Sequence, residues 1–215
     1  MVRDLGRISF LSNDGKSKES RRRKALLQPG SVFDAIIDYR PNRSLQTLRE
    51  ISPVRVTFSD NPAKQSVIYF VCDFVYSLLN DYPADSLLFD YVESFIRSVD
   101  NSRRSVANAP IAFLVGLLPI VGIEPDMSTY FPGSMFDFSS GVFRISPSLS
   151  GKSLSAEESA YMPALLRMTS INMHIFKLSR EGRNHILDTL LDYYTAHFGP
   201  LRQLPTLPIL RSLFA

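Results

Sequence analysis

Leu26-Leu27-Gln28-Pro29-Gly30-Ser31-Val32-Phe33-Asp34-Ala35-Ile36-Ile37-Asp38-Tyr39 is the stretch on which the fold turns. Pro29-Gly30 breaks the chain, and residues 31–39 then read as a strand. Val32, Phe33, Ile36, Ile37 and Tyr39 are the β-branched and aromatic types that a pleated surface favours. Working outward, Pro41-Asn42-Arg43 turns the chain, and Leu45 to Ile51 reads as a further strand that Val54 to Phe58 extend. On the other side, Gly6-Arg7-Ile8-Ser9-Phe10-Leu11 is short and rich in β-formers, and Asn13-Asp14-Gly15 is a turn signal. No long helical period occurs before residue 58.

The character changes at Ser59-Asp60-Asn61-Pro62. Asp60 or Asn61 suits a helix cap and Pro62 its first turn. Val67, Ile68, Phe70, Val71, Phe74, Val75, Leu78 and Leu79 recur at helical spacing, which predicts a helix up to Asp81-Tyr82-Pro83. A second helix is expected from Asp85 to Val99 and a third from Val106 to Val121, split near Pro119. Met135-Phe136-Asp137-Phe138 and Val142-Phe143-Arg144-Ile145, around Ser139-Ser140-Gly141, read as a small hairpin. Ser155-Ala156-Glu157-Glu158 is a capping-box pattern opening another helix, with Pro163 awkwardly deep in it. Residues 180–198 form a clear amphipathic helix, and the tail after Gly199-Pro200 reads as a loose arm with a short helical end. The fold class is therefore α+β: a small β unit over residues 1–58, then an all-α domain over 59–215 with a short β-hairpin insertion.

The chain has 215 residues, 45% hydrophobic and 21% charged, which suits a globular protein with a sizeable core. Its net charge of +3 hides an asymmetry. Residues 1–55 carry a net of +6 and residues 56–215 a net of −3, so the front end is the part suited to a polyanion. The one cysteine, Cys72, makes no intrachain disulfide, which fits a reducing cytoplasm. Ala109 to Ile123 is the most apolar region, but Pro110, Gly116, Pro119 and Gly122 interrupt it, too short and broken to span a bilayer. The expected location is the cytoplasm, at the nucleoid, with no membrane partner.

Lys16, Lys18, Arg21, Arg22, Arg23 and Lys24 lie between two β segments, with Glu19 the one acid among them. Many point charges on a rigid platform are what a phosphate backbone requires, and each phosphate neutralised releases counterions. The bland alternative is a solvated loop. Tyr39, Arg40, Arg43 and Arg49 form a second set, in which an aromatic ring stacks a base while guanidinium groups hold its phosphates. A core tyrosine beside a polar turn is the competing explanation. Gly151-Lys152-Ser153 is a poor match to a phosphate-binding P-loop, because Ser146 stands where the motif requires glycine. His174, His185 and His197 lack ligand spacing, and no nucleophile elbow is present. No active site, cofactor or metal site is expected, and hence no enzyme.

Three segments resemble the RecO family, bacterial DNA repair and recombination mediators. The first is residues 6–11, the basic run and Leu26-Leu27-Gln28-Pro29. The second, and most specific, is Tyr39-Arg40-Pro41-Asn42-Arg43-Ser44-Leu45-Gln46-Thr47-Leu48-Arg49-Glu50. The third is Gly122-Ile123-Glu124-Pro125-Asp126, Tyr130-Phe131 and the hairpin. The resemblance implies an N-terminal OB-fold and a C-terminal helical domain. It also implies binding of single- and double-stranded DNA, strand annealing, and action with RecR and sometimes RecF at gaps coated by single-stranded-DNA-binding protein, in support of RecA loading. The candidate DNA-binding residues are the nine cations and Tyr39 named above.

The sequence departs from the family twice. Some members carry a four-cysteine zinc site near Tyr130 to Pro147. No cysteine is present there, so packing by Phe131, Phe136, Phe138 and Phe143 is expected instead. The family's OB-fold also begins about two strands before Gly6, so Met1 is expected to be an internal methionine of a longer frame. The alternative function is a protein-interaction scaffold, in which the acidic stretch Asp81 to Asp100 and the apolar tail Leu201 to Phe214 dock partners and the basic run is incidental.

Overall fold

The structure is a computed structural model, which describes residues 1–11, 24, 26–55, 60–79, 83–147 and 151–214. It is α+β, with strands first, helices after, and a small two-stranded sheet within the helical part. Strands β1 (Ser9–Leu11), β2 (Val32–Asp38) and β3 (Leu45–Arg55) form a sheet of order β1-β3-β2. β1 runs parallel to β3, with Ser9 opposite Leu45 and Leu11 opposite Thr47. β2 and β3 are antiparallel. Ile36 pairs with Glu50 while Ile37 pairs with Leu48, so Arg49 is the extra residue of a β-bulge. An OB barrel has five strands; the sheet among the described residues has three, with open edges.

Helix α1 (Pro62–Leu78) begins where the sequence changes character. Asn61 is its cap, its side-chain oxygen accepting from the Ala63 N–H at 2.9 Å and the Lys64 N–H at 3.3 Å, with Pro62 in the first turn. α2 (Ser86–Asn101) follows, and Leu88, Phe95, Ile96 and Val99 on its inward stripe are buried with Val67, Phe70, Val71 and Phe74 of α1. Compaction groups Met1–Asn101 with Leu204–Leu213 in one unit and Ser102–Gln203 with Phe214–Ala215 in a second. The sheet thus shares its unit with α1 and α2, whereas the change from strand to helix falls near residue 59. Gly30 shows how closely these elements meet: its φ is +81°, and a Cβ there would lie 2.6 Å from Ile68 Cγ2. The Arg7 guanidinium lies over the Tyr76 ring, 3.9 Å from its centroid, and Arg55 of β3 pairs with Glu93 of α2.

The second unit is built on α3 (Ala109–Leu117), which is shorter than the predicted 106–121 because Pro119 and Gly122 close it off. α3 is apolar all round and almost wholly buried, as a central helix must be. Strands β4 (Met135–Asp137) and β5 (Val142–Arg144) form the expected hairpin. The capping box at Ser155 and Glu158 is present, but the helix it opens, α4 (Ala156–Ser159), is a single turn. Pro163 lacks the N–H that would continue it and instead starts α5 (Met162–Leu165). α6 (Arg180–Phe198) matches the predicted span. Its Tyr194 hydroxyl donates to the Leu114 carbonyl of α3 at 2.8 Å. The tail ends in the expected short helix, α7 (Thr206–Leu213), but that helix is not loose: it packs on α1 in the first unit, with Leu210 only 2% exposed.

Candidate nucleic-acid interface

β2 and β3 are joined by a tight turn in which the Arg43 N–H donates to the Arg40 carbonyl at 3.0 Å. Pro41 sits at the second position, where its fixed φ pre-sets a type I or II turn. Arg40 and Arg43 therefore occupy the two ends of the turn, and both side chains are exposed. Neither forms a salt bridge among the described residues.

The turn is held from beneath by Gln46, the second residue of β3, which faces inward with Leu48 and is only 4% exposed. Its Nε2 donates to the carbonyls of Arg40 at 2.9 Å and Arg43 at 2.7 Å, and its Oε1 accepts from the Arg40 N–H at 2.8 Å. Both amide hydrogens and the oxygen are used, so a buried polar side chain is satisfied by the backbone it supports. The sequence reading names nine cations and Tyr39; Gln46 is not among them. Its signal was a polar residue at an inward position of a strand, adjacent to a turn.

Tyr39 is 47% exposed, which excludes the core-tyrosine alternative. Leu11, Asn42, Arg43, Ser44, Leu45 and Thr47 line a shallow groove beside the turn, and Leu11 and Leu45 are exposed apolar side chains within it. Arg49 is differently placed. Its Nη2 lies 2.5 Å from Asp38 Oδ2 and its Nε donates to the same oxygen at 2.8 Å. The Arg49 hydrogen bond, with a smaller contribution from the charge of Arg40, holds the Asp38 carboxyl below its ordinary value. Arg49 thus straps β2 to β3 across the bulge. Of the basic run, Lys24 is exposed. Lys16, Lys18, Arg21, Arg22 and Arg23 lie outside the described residues. In the chain they follow β1, whose last residue lines the groove.

The other predicted features fall elsewhere. His185 meets Glu158 at 2.9 Å, His197 lies edge-on to Tyr193, and His174 contacts Arg104, so the histidines do not converge. Lys152 is engaged by Asp192. Among the described residues no group of three or more His, Cys, Asp or Glu side chains comes together in metal-binding fashion. The segment matching the family's zinc site does not fit that metal. It offers no thiolate, and its buried carboxylate, Asp137, accepts from Ser139 Oγ at 2.9 Å and Ser140 Oγ at 2.7 Å and pairs with Arg144. An aromatic cluster fills the space. The rings of Phe136 and Phe143 are 5.0 Å apart, and Tyr193 lies 5.2 Å from Phe136 and 5.5 Å from Phe138. Phe131, expected in that cluster, is instead 40% exposed, and Tyr193 takes the place assigned to it.

A small open sheet that presents a braced basic turn, followed by helices and a short hairpin, defines an α+β protein. The comparisons with known proteins place the chain in a family. A family model described as "Recombination protein O C terminal" matches residues 60–205. The "DNA repair protein RecO" of Phocaeicola vulgatus is 33% identical over 217 residues, covering 100% of this chain and 90% of that one. The proteins of the same name from Porphyromonas gingivalis (32% over 222 residues, 99% and 89% covered) and Bacteroides fragilis (31% over 213 residues, 97% and 88%) are similar along their length. The chain belongs to the RecO family.

Proposed function

We propose that this chain acts in DNA repair and recombination by binding DNA strands on its β unit and bringing complementary strands together. The observation that carries this is the Gln46-braced turn: two exposed arginines, without salt-bridge partners among the described residues, beside an exposed tyrosine and an open groove, in a RecO-family chain. Arg40, Arg43 and Lys24 with the rest of the basic run neutralise phosphates, and Tyr39 stacks a base. Arg49 contributes less, because Asp38 already neutralises it. Two strands held on one cationic face have their mutual repulsion screened, so annealing needs no bond made or broken. Assistance to RecA loading together with RecR, and with RecF and single-stranded-DNA-binding protein, belongs to the same reading and is supported by the family relationship.

The test is charge reversal of Arg21, Arg22 and Arg23 in the full chain. Affinity for DNA should fall by a similar factor on all sequences, and the log–log salt slope should shrink by about 3. Wild-type affinity in the triple variant at low salt would overturn the role of the basic run.

In the scaffold alternative, part of each expected docking element is already engaged among the described residues. Asp90 and Glu93 of the acidic stretch pair with Arg3 and Arg55, and the apolar tail is packed down through Leu210.

A further inference from the structure

We infer that Gln46 is a positioning residue for strand binding: it fixes the turn so that Arg40 and Arg43 stand ready for neighbouring phosphates of one strand. The inference rests on the turn meeting DNA, as proposed above. A free surface turn samples many backbone states, and ordering it on binding costs conformational entropy. Here that cost is met in the free protein. The residues at the two ends of a β-turn have Cα atoms within about 7 Å, a spacing comparable to that of successive phosphates along an extended strand.

The chemistry specifies glutamine. Two carbonyls and one N–H face the buried side chain, and only a primary amide supplies two donors and an acceptor there. Glutamate would set a carboxylate against both carbonyls. Methionine would fill the space but remove the side-chain partner of the Arg40 N–H and the Arg43 carbonyl, leaving the Arg40 carbonyl only its turn bond from the Arg43 N–H. Asparagine is one methylene too short to reach from the strand to both carbonyls. Methionine and asparagine alter no charge near the turn, so an effect of either on binding must pass through the turn.

A double-mutant cycle tests this with the full chain and a fluorescent single-stranded oligonucleotide, read by anisotropy across a salt series. Arg40→Ala/Arg43→Ala should weaken binding and lower the salt slope by about 2. Gln46→Met alone should weaken binding about tenfold, the cost of ordering the two arginines on each encounter. Combined with the arginine double variant, Gln46→Met should cause no further loss. An equal loss with and without the arginines would show a merely structural role and overturn the inference, as would wild-type affinity for Gln46→Met. If the arginine double variant itself binds as wild type, the underlying assignment of the turn to DNA fails instead. Circular dichroism melts accompany each variant. Should Gln46→Met not fold, the uncharged Gln46→Asn carries the same comparison, with the same loss expected only when the arginines are present.

Discussion

Cys72 sits half-buried on α1, and its burial pushes the thiol up to about 11, although a hydrogen bond with the Gly30 backbone pulls the other way. At neutral pH such a thiol holds on the order of a hundredfold less thiolate than an ordinary cysteine. Iodoacetamide should therefore label the native protein that much more slowly than free cysteine, and at the free rate only in denaturant. Prompt labelling of the folded chain would contradict the packing of Gly30 against α1 and α2. Other residues show how far single positions could be read in advance. The exposed place of Arg43 follows from its turn. The neutralisation of Arg49 does not, because which cation meets a carboxylate depends on strand register and on the bulge that carries it.

The hairpin β4–β5 is stabilised from both sides. The Phe138 N–H donates to the Lys152 carbonyl at 3.0 Å and the Leu154 N–H to the Phe136 carbonyl at 2.9 Å, adding a third segment to two short strands. At its tip, Asp137 is opposed by its own burial, but hydrogen bonds from Ser140 and Ser139 and the charge of Arg144 together hold it below the ordinary carboxylate value. A depressed carboxylate stabilises the fold above its unfolded value, and that stabilisation is lost as pH falls from there through the folded value. Asp137→Asn should cost about 1–3 kcal/mol at neutral pH. Its denaturation midpoint should also change less with acidification than that of the wild type. A variant whose acid profile superimposes on the wild type would rule out this source of acid sensitivity. The strand–turn–strand pattern of this hairpin was plain in the sequence. The carboxylate network was not, since a serine and an aspartate in a turn look the same whether they face solvent or each other.

Across the whole molecule, chain order and compaction diverge. α7 lies last in sequence yet belongs with the first unit, where Leu210 is buried and the Thr206 N–H donates to Asp73 Oδ2 of α1 at 3.2 Å, a helix start capped from another helix. Leu210→Ala should destabilise this unit by about 2–5 kcal/mol, seen as a lower denaturation midpoint, while a loose tail would tolerate the change. No helix among the described residues is long and apolar enough to cross a membrane. What the sequence by itself determined was the succession of elements, the α+β class, the change from strand to helix between Arg55 and Pro62, and the place of a basic turn. Each depends on residues a few positions apart: periodicity, caps, prolines. Only the tertiary structure decided that Tyr39 faces out, that Gln46 holds the turn, that Arg49 is neutralised and that α7 folds back. Burial and pairing join groups that local pattern cannot connect, such as Asp73 and Thr206, 133 positions apart.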